Sequence, residues 1–182
     1  MNGVQKILML CGAAAVALTL GGCGKTSGAG ASDPAAVQAA LKVDEKKWND
    51  QLKSKDFEGV VSHYADDAYL VAPGVPGAKG SMEIRKAYAD ALADNYFSLS
   101  FASDRIDVAG SGDMAYDRGH FSEKYQDPTS KKIVSDSGTY LTVFKKQQDG
   151  SMKAVEDVAL PDPATRKETS PAAAAPAKMI SM

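Results

Sequence analysis

The sequence predicts an α+β domain in which three N-terminal helices pack into the concavity of a bent antiparallel β-sheet. Two changes of period carry that reading. Apolar residues recur every three to four positions up to about residue 93 and alternate from residue 96 onward, so helices come first and strands follow. Within the first long strand segment the alternation slips by one. Phe97, Leu99 and Phe101 hold odd positions, whereas Ile106 and Val108 hold even ones. A β-bulge between Ala102 and Arg105 produces such a slip and bends the sheet there.

The chain opens on residues 1–22, which have the features of a secretory signal. The run from Ile7 to Leu20 is uncharged and follows a single Lys6; it is too short to cross a bilayer as a helix. Leu20-Gly21-Gly22-Cys23 resembles the bacterial lipobox, which implies cleavage before Cys23 and acylation of its thiol. Lipid chains at that terminus would hold the protein on a membrane, each buried methylene contributing about 0.8 kcal/mol. Gly24, in place of an aspartate, implies on the enteric pattern an outer-membrane anchor facing the periplasm. Residues 23–33 then read as the lipidated cysteine and a Gly/Ala/Ser tether. With Cys11 in the signal and Cys23 acylated, no thiol is left for a disulfide, a metal or a nucleophile.

Asp33-Pro34 supplies an N-cap and a first-turn proline, and Val37, Leu41, Asp44 or Glu45, Trp48 and Leu52 form the stripe of helix one. A second short helix opens at Asp56, with Phe57, Val60, Val61 and Tyr64 on one face. Ala68 to Ala72 is a short strand ended by Pro73. Ser81 caps helix three, from Met82 to about Ala93, with Ile84, Tyr88 and Leu92 inward and Glu83 at the positive end of its dipole. Strand segments follow at about 96–109, 114–126, 132–146 and 152–160, joined by short Gly/Asp/Pro turns, as in an antiparallel meander. The folded domain therefore spans 34–160. Residues 161–182, rich in proline and alanine and without aromatics, read as a disordered tail.

A net charge of −2, with 24% charged residues, is too weak an imbalance to hold a phosphate backbone, so nucleic acid is not an expected partner. No GxSxG, P-loop or dinucleotide-binding pattern occurs, and the two histidines, His63 and His120, lack metal-ligand spacing. Neither a cofactor nor a metal is implied. His120 alternates with Arg118 and Tyr116, away from Phe121, and should face solvent. His63 should be a surface residue of helix two. Asp66-Asp67 reads as a turn at that helix's end.

The order of helix, helix, YADDA, strand, Pro/Gly loop, EIRKAY, DMAYDRG, GTYLTVFKKQQDG and a last strand resembles the NTF2-like superfamily, in particular its SnoaL-like and DUF4440 branches, over about residues 35–160. The resemblance implies a cone with an open end and a mostly apolar pocket, and in many relatives a homodimer through the outer sheet face. Ketosteroid isomerases of that superfamily use an aspartate base and an oxyanion site of a tyrosine and a neutral carboxylic acid. On this chain the base position falls at Ala72, the tyrosine at Trp48 and the acid near Thr142. That mechanism is therefore not expected. Tyr64 and Tyr88 match supporting pocket tyrosines.

Alternation with Phe144 inward also turns Thr142, Tyr140, Gly138 and Asp136 inward, and the resemblance does the same for Val155, Asp157 and Ala159. Asp157 is the candidate catalytic residue, because a carboxylate facing an apolar cavity has its charged form disfavoured. The alternative is that Asp157 only holds the core in register through Trp48, Tyr64 or backbone. Trp48, Tyr64, Tyr88 and Tyr140 are the candidate ligand-binding residues. The expected function is binding of a small apolar or amphipathic molecule by a membrane-anchored lipoprotein. The alternatives are an acid/base enzyme of isomerase or cyclase type with Asp157 as base, and an envelope protein-interaction module.

Overall fold

The computed structural model describes residues 33–171 apart from residue 75. The signal, Cys23 and the tether lie outside the described residues. Within them the helices are α1 (Pro34–Ser54), α2 (Phe57–Val61) and α3 (Gly80–Ala93). The strands are β1 (Tyr64–Val71), β2 (Ala78–Lys79), β3 (Ser98–Val108), β4 (Met114–Gln126), β5 (Ile133–Lys146), β6 (Met152–Pro161) and β7 (Lys167–Thr169). This is the α+β NTF2-like fold, with the helices packed against one curved sheet.

Helix α1 begins where its cap predicts: the Ala35 N–H donates to Asp33 Oδ1 at 3.0 Å, and Pro34 occupies the first turn. It ends at Lys55, whose left-handed backbone (φ 56°) stops the helix. The Lys55 ammonium then donates to the carbonyls of Leu92 and Asp94 and ties the end of α1 to the end of α3. Leu41, Trp48 and Leu52 are buried on the predicted stripe. The opposite requirement is met by polar residues on the same helix. Strand β3 is the sheet edge, and its free backbone groups need partners. Gln38 donates to Ile106 O, Asn49 both donates to and accepts from Phe101 backbone, and Glu45 accepts from Ser103 N–H.

The sheet runs β2-β1-β6-β5-β4-β3. Strands β3 to β6 form the predicted antiparallel meander, and the predicted bulge is present: Ser103 pairs Gly119 and Arg105 pairs Arg118, leaving Asp104 as the extra residue. A second irregularity falls between Val143 and Phe144, which pair Glu156 and Ala154.

Four expectations need correction. The sheet is mixed, because β1 lies parallel to β6; the helix between β2 and β3 and the long meander bring β6 back beside β1. Helix α2 stops at Val61, so Tyr64 and the exposed Asp66 and Asp67 belong to β1. Helix α3 starts before Ser81, with Glu83 accepting the Lys79 N–H at 2.8 Å. The chain past Pro161 also continues in ordered form to residue 171. The Ser137 N–H donates to Thr165 Oγ1 at 2.9 Å, and β7 pairs β5 where β6 has ended.

Candidate functional site

Inward residues of β4, β5 and β6, together with α1 and α3, enclose a hollow in two parts. An inner cavity of about 70 Å³ lies among Trp48, Phe101, Phe121, Tyr140, Thr142 and Asp157. It adjoins a vestibule of about 440 Å³ lined by α3 and by Pro73, Gly74, Pro76, Gly77 and Ala78. Leu70, Ala72, Pro73, Tyr88, Leu99 and Glu123 line both. Together they reach the size range of small-molecule pockets.

Trp48, only 4% exposed, forms the floor of the inner cavity. Its indole stacks on His63 with centroids 4.4 Å apart and meets Tyr64 and Phe101 edge-on at 5.2 and 5.5 Å. The indole N–H has no hydrogen-bond partner. His63 is thus not the surface residue its sequence position predicts. Because the chain turns from α2 into β1 at this point, the imidazole drops beneath α1. There it is held by Asp44 at 2.9 Å and Gln51 at 2.7 Å. His120 is exposed as expected, 3.2 Å from Asp104.

The floor also carries a hydrogen-bonded relay. Tyr64, at the start of β1, donates to Asp157 Oδ2 at 2.5 Å, and Thr142 donates to Oδ1 at 2.9 Å. The Tyr88 hydroxyl lies 2.8 Å from that of Tyr64; since Tyr64 gives its proton to Asp157, Tyr88 is the donor in this pair. Burial pushes the proton affinity of Asp157 above the ordinary carboxylate value, against the two donors that lower it. Burial and the nearby Asp157 charge push both tyrosines up as well. The structure therefore brings Trp48, Tyr64, Tyr88 and Asp157 together.

Tyr140 joins the wall by another route. Its ring meets Phe101 edge-on at 5.5 Å, while its hydroxyl donates to Asp117 Oδ2 at 3.0 Å. Gly119 makes this possible, for a Cβ there would lie 2.7 Å from the Tyr140 ring and 2.0 Å from Ala102 O. The Ser103 hydroxyl lies between Asp117 Oδ2 at 2.6 Å and Glu45 Oε2 at 2.7 Å, and its one proton is shared between them. Burial raises the Asp117 proton affinity.

Sequence reasoning missed two inward acids, Asp117 and Glu123. The signal was available: both share the parity of Ala115, Gly119 and Phe121 on β4. Glu123 faces Asp136 across β4 and β5. Among the described residues no group of three or more His, Cys, Asp or Glu could hold a metal, and no helix is long and apolar enough to cross a membrane.

Comparison with known proteins agrees with this architecture. The profile of the SnoaL-like domain family matches residues 46–155. A comparison with curated proteins finds no match. Among solved structures, a conserved protein from Planctomyces limnophilus is 19% identical, with a TM-score of 0.58 over 70% of this chain and 99% of its own. A ketosteroid isomerase-like protein from Erwinia carotovora is 20% identical, with a TM-score of 0.57 over 68% and 94%. An NTF2-like superfamily protein from Salmonella enterica is 11% identical, with a TM-score of 0.57 over 70% and 92%. At these identities the likeness concerns the fold alone.

Proposed function

The chain belongs to the SnoaL-like domain family of the NTF2-like superfamily, and we propose that it is a lipid-anchored envelope protein whose cone binds a small apolar or amphipathic molecule. One observation carries the binding part: a hollow persists between α1 and the sheet, walled by aromatic and aliphatic side chains and open through the vestibule. Trp48 floors it, Tyr140 and Phe101 wall it, and Tyr88 stands where the two parts meet. The anchoring part is supported by the apolar run and the Leu-Gly-Gly-Cys23 sequence, and a homodimer through the outer sheet face, where Leu141 and Leu160 are exposed, belongs to the same reading.

Trp48 is the sole tryptophan, so its fluorescence reports on the floor directly. Titration of the purified protein with 1-octanol should give a saturable change that Ala72→Phe, which fills the junction of the two cavities, abolishes. A response unaltered by Ala72→Phe overturns pocket binding. For the anchor, the mass of the mature N-terminal peptide should include acyl chains on Cys23 and lose them in Cys23→Ala; an unmodified thiol refutes that part.

A second reading is favoured by the relay itself. Asp157 lies in the cavity wall with its proton affinity raised by burial, and a hydroxyl chain connects it through Tyr64 to Tyr88. Such a group is a stronger base than an ordinary carboxylate and can accept a proton from a bound carbon or oxygen acid. Turnover that Asp157→Asn abolishes while ligand affinity is retained would establish it; equal turnover in both proteins would exclude it.

A further inference from the structure

The rim of the hollow holds charge that the floor does not account for. Glu123 lines both cavities, is 9% exposed, and its Oε1 has no hydrogen-bond partner. Asp136, its cross-strand neighbour, is 5% exposed, and neither of its oxygens has one. Arg166, from the segment before β7, forms an ion pair with Asp136 Oδ2 at 3.7 Å, a separation too long for a hydrogen bond. Its guanidinium instead donates to Glu168 at 3.1 Å and to the Tyr125 hydroxyl at 3.4 Å. Asp136, which lines neither cavity, is thus compensated by the Arg166 charge, and Glu123 is the buried acid that faces the hollow with an oxygen accepting no hydrogen bond.

The surroundings indicate what would satisfy it. On the α3 side the vestibule is lined by Glu83, Asp90 and Asp94 against a single ammonium, Lys86, which is itself paired with Asp90 at 2.6 Å. Tyr88, from the same helix, presents a neutral phenol. Even with Arg166 counted, acids outnumber bases around Glu123, so the entrance attracts cations.

We propose that the rim is a subsite for the primary ammonium group of a small amphipathic molecule, which donates to the Glu123 carboxyl where that side chain lines both cavities, while its apolar part enters the inner cavity. A primary ammonium carries three N–H donors. This inference rests on the pocket reading above and names the class of ligand for it. In the empty cone a proton held between the two carboxyls takes the cation's place: burial and the Asp136 charge push Glu123 up to about 8. An ammonium must displace that proton, so its affinity rises with pH up to about 8. The other charged or titratable groups around Glu123 are Tyr125, Asp136, Arg166 and Glu168 on the strand side and the α3-side groups named above.

The test compares three probes of equal chain length, octylammonium, 1-octanol and octyl sulfate, titrated against the purified full chain at pH 6 and pH 8.5 by Trp48 fluorescence. Octylammonium should bind at least tenfold more tightly than octanol at pH 8.5, with the ratio shrinking by several-fold at pH 6 and octyl sulfate weakest. In Glu123→Gln the ratio of octylammonium to octanol affinity should fall to near one and lose its pH dependence. Equal affinities for all three probes at both pH values overturn the ammonium subsite and leave the pocket standing. If none of the probes binds, the pocket reading falls, and this inference with it.

Discussion

The cone holds two acidic stations, at the floor and at the rim of the hollow, that solve the same problem differently. At the floor, both oxygens of Asp157 accept hydrogen bonds, from Tyr64 and Thr142. At the rim, Glu123 and Asp136 are less exposed than Asp157, yet three of their oxygens accept none. A carboxylate taken out of water needs donors or a counter-charge, and only the floor supplies donors internally. The lesson is that the floor is finished by the fold, while the rim is finished by a proton or by something that enters the cone.

The contrast can be broken or sharpened experimentally, beginning with the largest effect. Trp48→Ala removes the ring that roofs His63 and Tyr64 and should cost about 3–5 kcal/mol of stability by denaturant unfolding followed by circular dichroism. A loss below 1 kcal/mol would mean that the floor is not a packed unit. Tyr64→Phe takes one donor from Asp157 and should cost roughly 1–3 kcal/mol at neutral pH. Because Asp157 already has a raised proton affinity, that cost should shrink as acid protonates the carboxyl, and a pH-independent cost would count against the relay.

The rim should respond with the opposite sign. With its proton affinity raised from 4.5 to about 8, Glu123 contributes stability fully below about pH 4.5 and loses it as pH rises through 8. Glu123→Gln, uncharged and able to donate to Asp136, should therefore be more stable than the parent by about 1–2 kcal/mol at pH 8.5, with no advantage at pH 4. A destabilised variant at pH 8.5 would erase the distinction between the two stations. Least affected should be His120→Ala, on the exposed face, within about 0.5 kcal/mol at any pH and without effect on probe binding.

Different parts of this arrangement were legible in the sequence to different degrees. The stripe of α1, the bulge at Asp104 and the inward turn of Tyr140 and Asp136 follow from periodicity alone. Asp157 came from likeness to a superfamily, and its partners Tyr64 and Thr142 could be named but not joined. His63 was misplaced because helical spacing through Tyr64 hid the change of direction at the end of α2. Glu123 escaped notice although its parity pointed inward, because a glutamate on an alternating strand is ordinarily assigned to solvent. The ordered return of Thr165 and of β7 has no apolar period, and a Pro-rich composition masks it.

What the sequence determined by itself was local: where helices start and stop, which side of each strand faces in, and where the sheet must bend. Those properties depend on neighbours within a few residues, through caps, turns and the two periods of the backbone. Tertiary structure alone decided the parallel pairing of β1 with β6, the stacking of Trp48 on His63, and which buried acids receive donors. Each of these depends on groups brought together from distant parts of the chain. A hydrogen bond needs its two atoms within about 3 Å, a condition that closure of the whole cone sets and no sequence spacing encodes.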